Sequence, residues 1–413
     1  MSRIGILNFA GHLNHGANLT AYALQRTFSQ MGHEVQNLHL HSNSTLYKWD
    51  LFTKFADENI AISSACAAGV CNMQKFNKDF DVFVVGSDQV WREADGPDSD
   101  WQWKTPHYAC YHLAFAQPGK RRIAVAASFG NEQYDAPKHI RESLARELLR
   151  FAAISVREES AVENVKLVSG VAATHLVDPV FYITPGEWEA CCSSSEPITE
   201  GKCLISYNSF YHNECIKKIA QSLQSEYELY DLSSGDTRSW LTSIRNSDFV
   251  ITDSFHVLCF CLIFETPFVC LAPSGQGVAR FTSLQKLAGF SECRVINADC
   301  VENLPEEIRK IMDMPMDWSA VRSRLAQCRE TALKWLENAL KCPIPEWTGD
   351  AYHRASRAEQ AAELQNNAAA HTCAIVRRNR RIVSFLLAIS PIGRSILKRK
   401  KSFYDGVLNR LAW

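Results

Sequence analysis

The sequence predicts an α/β protein of two tandem, doubly wound Rossmann-like domains facing a cleft, followed by a basic helical C-terminal tail. Three observations carry this expectation. Short apolar runs alternate with segments of helical periodicity. The alternation pauses in a stretch rich in Pro, Ser and Gly at 184–201 and then restarts. The chain has 413 residues, 46% hydrophobic and 22% charged, enough for two cores.

In the first half, Arg3 to Phe9 and Glu34 to His41 read as strands around a helix from Asn18 to Met31. In that helix Leu19, Tyr22, Ala23, Leu24 and Phe28 recur on one face. Asp81 to Gly86 and Arg122 to Ser128 are apolar strands, and a helix from Lys138 to Phe151 leads into the strand Ala153 to Arg157. Near-continuous apolar runs point to a parallel sheet covered on both faces. After the pause, strands are expected at Cys203 to Tyr207, Tyr227 to Leu232, Phe249 to Thr252 and Pro267 to Leu271. Helices at Asn213 to Ser225, Ser239 to Asn246 and Val257 to Phe264 separate them, and Met316 to Leu340 reads as one long helix. The resulting organisation is a first domain over 1–183 and a second over 202–345. A linker at 346–369 and a basic amphipathic tail at 370–413 complete it.

Composition narrows the function. No run reaches the roughly 18 uncharged residues of a membrane span, and the N-terminus reads as a core strand, so secretion is not expected. The 15 cysteines are scattered and read as reduced core residues of a cytoplasmic protein, with no zinc spacing. From Ala370 onward ten basic residues face Asp405 alone, which makes an anionic membrane surface the expected partner of residues 374–413. Nucleic acid is not expected, because the body is acidic and the basic residues lack aromatic interleaving.

Candidate site residues cluster at the carboxyl ends of the expected strands, where doubly wound folds bind ligands. Gly86, Ser87 and Asp88, followed by Gln89, form either a polar ligand turn or a helix N-cap. Ser128 before Gly130 permits a close approach of backbone to ligand, or simply ends a strand. Arg157 suits bidentate binding of phosphate or carboxylate, against an ion pair with Glu158 or Glu159. Asp253, Ser254 and His256 crowd the turn that opens the apolar helix, where the dipole attracts anions. Gly277 and Arg280 could close over a phosphate, and Asn14 to Asn18 feeds a further helix N-terminus.

Together, VGSDQVW, VAASFG, ISVREES, LVDPV and VITDSFHVLCFCLIFETPFV, in this order, resemble the polysaccharide pyruvyl transferase family from about Ile4 to Gly289. The resemblance implies a B-type glycosyltransferase architecture. It also implies transfer of a pyruvyl group from phosphoenolpyruvate to sugar hydroxyls of a bacterial surface polysaccharide or its lipid-linked precursor, forming a ketal. His256 then maps to the acid/base, oriented by Asp253 or Asp88. Arg157, Ser254, Gly277 and Arg280 map to the donor side, and Ser87, Gln89, Asn18 and Ser128 line the acceptor side. Some members carry Arg-Leu-His where this chain has Ser254, Phe255 and His256, and Arg280 is the candidate replacement for that charge. No cofactor or metal is expected beyond the co-substrate. The alternatives are a nucleotide-sugar glycosyltransferase on the same scaffold and a non-catalytic relative that binds glycans or phosphometabolites.

Overall fold

The computed structural model describes residues 1–9, 14–38, 50–63, 73–92, 108–134, 136, 138–192, 203–205, 216, 219, 222–223, 230–231, 235–272, 277–297 and 303–346. They fall within one unit, Met1–Glu93 with Tyr108–Glu346. The linker and the basic tail lie outside the described residues.

Two parallel sheets share one winding. The first contains β1 (Arg3–Leu7), β2 (Glu34–Leu38), β3 (Val82–Val85), β4 (Arg121–Ala127), β5 (Ala153–Val156) and β6 (Thr174–His175), in the order β2-β1-β3-β4-β5-β6. The second contains β7 (Cys203–Ile205), β8 (Tyr230–Asp231), β9 (Phe249–Thr252), β10 (Phe268–Ala272) and β11 (Val295–Asn297), in the order β11-β10-β9-β7-β8. Counted from its own first strand, the second runs 2-1-3-4-5, the flavodoxin-like order, and the first continues that order with a sixth strand. Every strand pair among the described residues is parallel. All side chains of β3, β9 and β10 are buried, as strands covered on both faces must be.

The helices that matter for the site are α1 (His15–Gln30), α2 (Asp50–Asn59), α3 (Lys138–Leu148), α4 (Glu159–Ser169) and α5 (Pro185–Cys191). They continue with α6 (Thr237–Arg245), α7 (Phe255–Phe264), α8 (Val278–Ala288), α9 (Leu304–Met312) and α10 (Trp318–Ala339). Helix α7 is apolar all round, and Phe255 to Ile263 are all buried. Such a helix belongs inside a core rather than on a surface. Phe260 meets Trp188 and Trp240 edge-on at 5.0 and 5.6 Å, and one continuous apolar cluster joins Ile4, Val84 and Leu24 to Val250, Cys259 and Phe268. The cysteines of α7 and β10 are free thiols whose pKa burial pushes well up, so they act as small core residues.

The expected strands and helices are present with ends shifted by a few residues, and three differences have local causes. The pause at 184–201 contains α5, because Thr184 and Glu187 form a reciprocal capping box with Pro185 at the first helical position. Read singly, the same Thr, Pro and Gly look like helix breakers. Strands β6 and β11 are only two and three residues long, too short to show periodicity. Of the helix expected over Asn213 to Ser225, the described residues Ile216, Ile219, Ser222 and Leu223 are helical.

The halves are stitched together. His15 Nδ1 lies 2.9 Å from Thr237 Oγ1, and Glu159 N donates to Ser283 Oγ at 3.0 Å. Burial lowers the His15 pKa to about 4, so it is neutral at ordinary pH. Helix α10 then returns to the first half. Arg329 Nε donates to the Tyr182 carbonyl at 2.8 Å, and Trp335 Nε1 donates to Thr174 Oγ1 at 3.2 Å.

Under the first sheet, Glu147 holds two buried guanidinium groups, Arg122 and Arg150, each at 2.6 Å. Removing the shared carboxylate takes an anion from two buried cations, which keep the Ala116 carbonyl as acceptor. Glu147→Ala is therefore expected to cost about 3–5 kcal/mol of stability, read from the urea midpoint; an unchanged midpoint would show the network to be dispensable.

Candidate active site

The site assembles from the carboxyl ends of strands in both sheets. After β3 the chain turns through Gly86, where an added Cβ would lie 3.0 Å from Asn8 Cβ, and Asp88 takes φ +80°. A non-glycine residue holds that left-handed conformation only when its surroundings fix it. Here the Asp88 carboxylate accepts from its neighbour's N–H at Gln89, 2.8 Å, and the Asp88 carbonyl accepts from Ser128 N at 3.1 Å. Among the described residues no helix begins here, so the segment is a turn rather than a helix cap.

Asp178, just beyond β6, is the centre of the network. It is 1% exposed and caps the short 3-10 turn Pro179–Phe181. Its Oδ1 accepts from Val180 N at 3.1 Å and from Thr20 Oγ1 at 3.3 Å. Its Oδ2 accepts from Ser87 Oγ at 2.9 Å and from Arg157 Nη1 at 2.8 Å. Four donors fill the four acceptor directions of a carboxylate and leave no place for a proton. Burial alone would raise the Asp178 pKa, but His256, Arg157 and the Val180 N–H hold it well below the usual carboxylate range.

Arg157, 2% exposed, ends β5 as expected, and its partners are distant in sequence. It pairs with Asp178 and, through Nη2 at 3.4 Å, with Asp88, rather than with Glu158 or Glu159. Burial would lower its pKa, yet these carboxylates raise it, so the guanidinium is permanently charged and matched within the chain. Among the described residues its Nε has no acceptor. Below it lies Phe255: Arg157 Cζ stands 4.5 Å from the ring centroid, and Arg280 Cζ stands 5.6 Å from the same ring. Burial opposes ionisation of Asp88, but Arg157, His256 and Arg280 more than offset it and lower its pKa.

His256 occupies the second position of α7, behind the N-cap Ser254, and is 7% exposed. Its Nε2 lies 3.1 Å from Thr20 Oγ1 and 3.7 Å from Asp178 Oδ2. The ring lies against Gly16 at the start of α1: a Cβ built there would fall 2.1 Å from His256 Nδ1. The first turns of α1 and α7 thus meet at one imidazole. Arg157 and His256 share the same carboxylate oxygen.

The remaining expected residues divide. Asp253 is buried at the end of β9, and Asn18 is buried in the first turn of α1. The Ser254 hydroxyl accepts from Val257 N at 3.5 Å, a capping role. Gln89 Oε1 accepts from Arg92 Nη1 at 2.9 Å and packs on Gly130. Gly277, at φ +86°, caps α8 and so brings Arg280 beside Phe255. Ser128 Oγ donates to the buried Glu158 and accepts from Gly130 N. Burial raises the Glu158 pKa despite Arg157 and Ser128. Sequence reasoning assigned no role to Asp178 or Thr20, and gave Glu158 only as an ion-pair partner of Arg157. The signal for Asp178 was its Asp-Pro pairing in LVDPV, an N-cap signature following a strand end. Among the described residues no cluster of three His, Cys, Asp or Glu side chains could hold a metal, and no helix is long and apolar enough to cross a membrane.

Two like-wound parallel sheets, with polar groups gathered where their strand ends meet, define the class: Rossmann-like pairs of the B-type glycosyltransferase architecture. The chain is similar to UDP-N-acetylglucosamine 2-epimerase from Rickettsia bellii, with a TM-score of 0.52 at 11% identity, over 82% of this chain and 96% of that one. UDP-GlcNAc 2-epimerase from Neisseria meningitidis gives 0.48 at 9% identity over 82% and 99% of the two chains. The spinosyn forosaminyltransferase gives 0.46 at 10% identity over 87% and 99%. Likeness at such identity concerns the fold alone. No curated protein matches the chain. The family model for polysaccharide pyruvyl transferase matches residues 14–275, and the chain belongs to that family.

The contact at Gly16 gives a direct test. Gly16→Ala must displace the imidazole, since nothing else can make room for a Cβ at 2.1 Å. We expect a folded protein whose His256 side chain has moved and whose activity falls as far as that of a His256 deletion. A crystal structure of the variant with an unmoved ring would refute this reading.

Proposed function

We propose that this protein transfers a pyruvyl group from phosphoenolpyruvate to hydroxyls of a bacterial surface polysaccharide, such as a capsule, or of its lipid-linked precursor. The observation that carries the proposal is the joining of Arg157 and His256 through Asp178, with Arg280 beside them across Phe255. Family membership supports the transferase class.

Phosphoenolpyruvate presents a phosphate and a carboxylate. Arg157 and Arg280, which flank the Phe255 ring, are the fixed cations for the donor, with the first turns of α1, α7 and α8 as helix-dipole partners. Arg280 thereby supplies the cation that other members carry at the position of Ser254. In the reaction, protonation of the donor's methylene carbon makes C2 oxocarbenium-like. One acceptor hydroxyl bonds to C2 as it loses its proton. Phosphate then leaves with its bonding electron pair, and a second hydroxyl closes the ketal while its proton departs with phosphate. His256 can deliver the first proton and recover it from the attacking hydroxyl, with Asp88 or Asp253 orienting the acceptor. No cofactor enters this scheme.

Phosphate release coupled to a pyruvyl mass gain on the acceptor measures the reaction. His256→Ala is expected to lower kcat by roughly 10²–10⁴-fold, and Arg280→Ala to weaken donor binding about 10- to 100-fold. Release of a nucleoside diphosphate from a sugar nucleotide, without pyruvyl transfer, would favour a glycosyltransferase instead. Donor binding without turnover across a broad glycan panel would favour a non-catalytic relative.

For residues 374–413, we propose peripheral attachment to the inner face of the cell membrane, where a lipid-linked acceptor resides. A chain ending at Gln365 should no longer sediment with vesicles containing anionic lipid, while the full chain should do so in a salt-sensitive manner; sedimentation of the shortened chain would exclude the tail as anchor.

A further inference from the structure

We propose that Thr20 and Asp178 act as positioning residues that fix the His256 proton on Nε2, so that Nδ1 is the nitrogen that exchanges protons with substrate. The inference rests on the reading of His256 as the acid/base. It goes beyond that reading by naming the reacting atom and the groups that select it.

The argument starts from the Asp178 carboxylate. With four donors already on its oxygens it is ionised and can only accept. Thr20 has one hydroxyl proton and directs it to Asp178 Oδ1 at 3.3 Å. The same oxygen lies 3.1 Å from His256 Nε2. With the Thr20 proton committed, its oxygen can only accept from the ring, so Nε2 carries hydrogen in both the neutral and the charged imidazole.

Nδ1 is left with the exchangeable position. Among the described residues no group hydrogen-bonds to it, and the residue beside it is Gly16, where any Cβ would occupy the adjacent space. The ring packs directly on the Gly16 backbone, so a ligand would reach Nδ1 from the side turned away from α1. As imidazolium, His256 would give its Nδ1 proton to the donor methylene carbon, whose double-bond electrons form the new C–H bond. As neutral imidazole it would then take the proton of the acceptor hydroxyl as that oxygen bonds to C2. The charge that appears and disappears on the ring is faced directly by Asp178 Oδ2 at 3.7 Å, and by Asp88, with Arg157 behind both carboxylates. One histidine can therefore move a single proton from hydroxyl to carbon while its second nitrogen stays tied.

The full chain, labelled with 15N-histidine, tests this without substrate. Two-bond 1H–15N correlations report the tautomer of each of the 13 histidines, and His256→Gln identifies the relevant signal. We expect hydrogen on His256 Nε2. Thr20→Val should mix the tautomers, lower kcat for pyruvyl transfer roughly 100-fold and leave KM for phosphoenolpyruvate within about twofold, whereas Thr20→Ser should restore both tautomer and turnover. Hydrogen on Nδ1 in the unaltered protein would overturn the proposal. So would a Thr20→Val protein, or a Thr20→Ser protein if valine prevents folding, that shows the opposite pattern. Absence of pyruvyl transfer in the unaltered protein would defeat only the functional reading, since the tautomer is measured independently.

Discussion

A single buried carboxylate organises this protein. Asp178 draws donors from a strand-end turn (Ser87), from the end of β5 (Arg157), from α1 (Thr20) and from its own 3-10 turn (Val180), and it faces His256 from the other half of the chain. An ionised group is stable in such a place only if its lone pairs are fully engaged and a cation is close. That requirement ties together five segments otherwise free to vary. The reactive elements of the site are consequences of satisfying one charge.

The architecture explains how those segments come to meet. Both sheets contain the order 2-1-3-4-5, so each gathers its loops at the carboxyl edge beside its own first strand. Helix α7 brings the edges together because it has no polar face to turn toward water. Its first turn carries Phe255 and His256 into the first half, while its body fills the core shared with Trp188 and Trp240. A local irregularity contributes as well. At Ala126, φ +48°, the β4–β5 register shifts, and Ser155 Oγ accepts from Ala126 N and donates to the Ala124 carbonyl. The bulge sets the exit of β4 toward Ser128 and Glu158.

Much of this was legible in the sequence because it depends on local pattern. Apolar runs such as VFVV and FVCLA announce buried parallel strands, and Ser254 before an unbroken apolar stretch announces the start of α7, with His256 in its first turn. Residues whose meaning depends on distant partners were not legible. Arg157 finds its carboxylates 21 and 69 positions away, and local reasoning offered only Glu158 and Glu159. Thr20 looks like an ordinary helix residue until a chain 236 positions later lays an imidazole on it. Ser254 was expected to face a ligand, whereas its hydroxyl is used in the cap.

Helix α10 bears on how the chain is made. It follows the second sheet in sequence, yet its Trp335 reaches Thr174 on β6, the edge strand of the first sheet, across 161 residues. Arg121 at the head of β4 likewise donates to the Cys342 carbonyl. During synthesis the first sheet therefore emerges with that border uncovered and waits for nearly the whole second half before its final staple arrives. Such an exposed margin is where neighbouring nascent chains can associate, and the arrival of α10 beside β6 guards it.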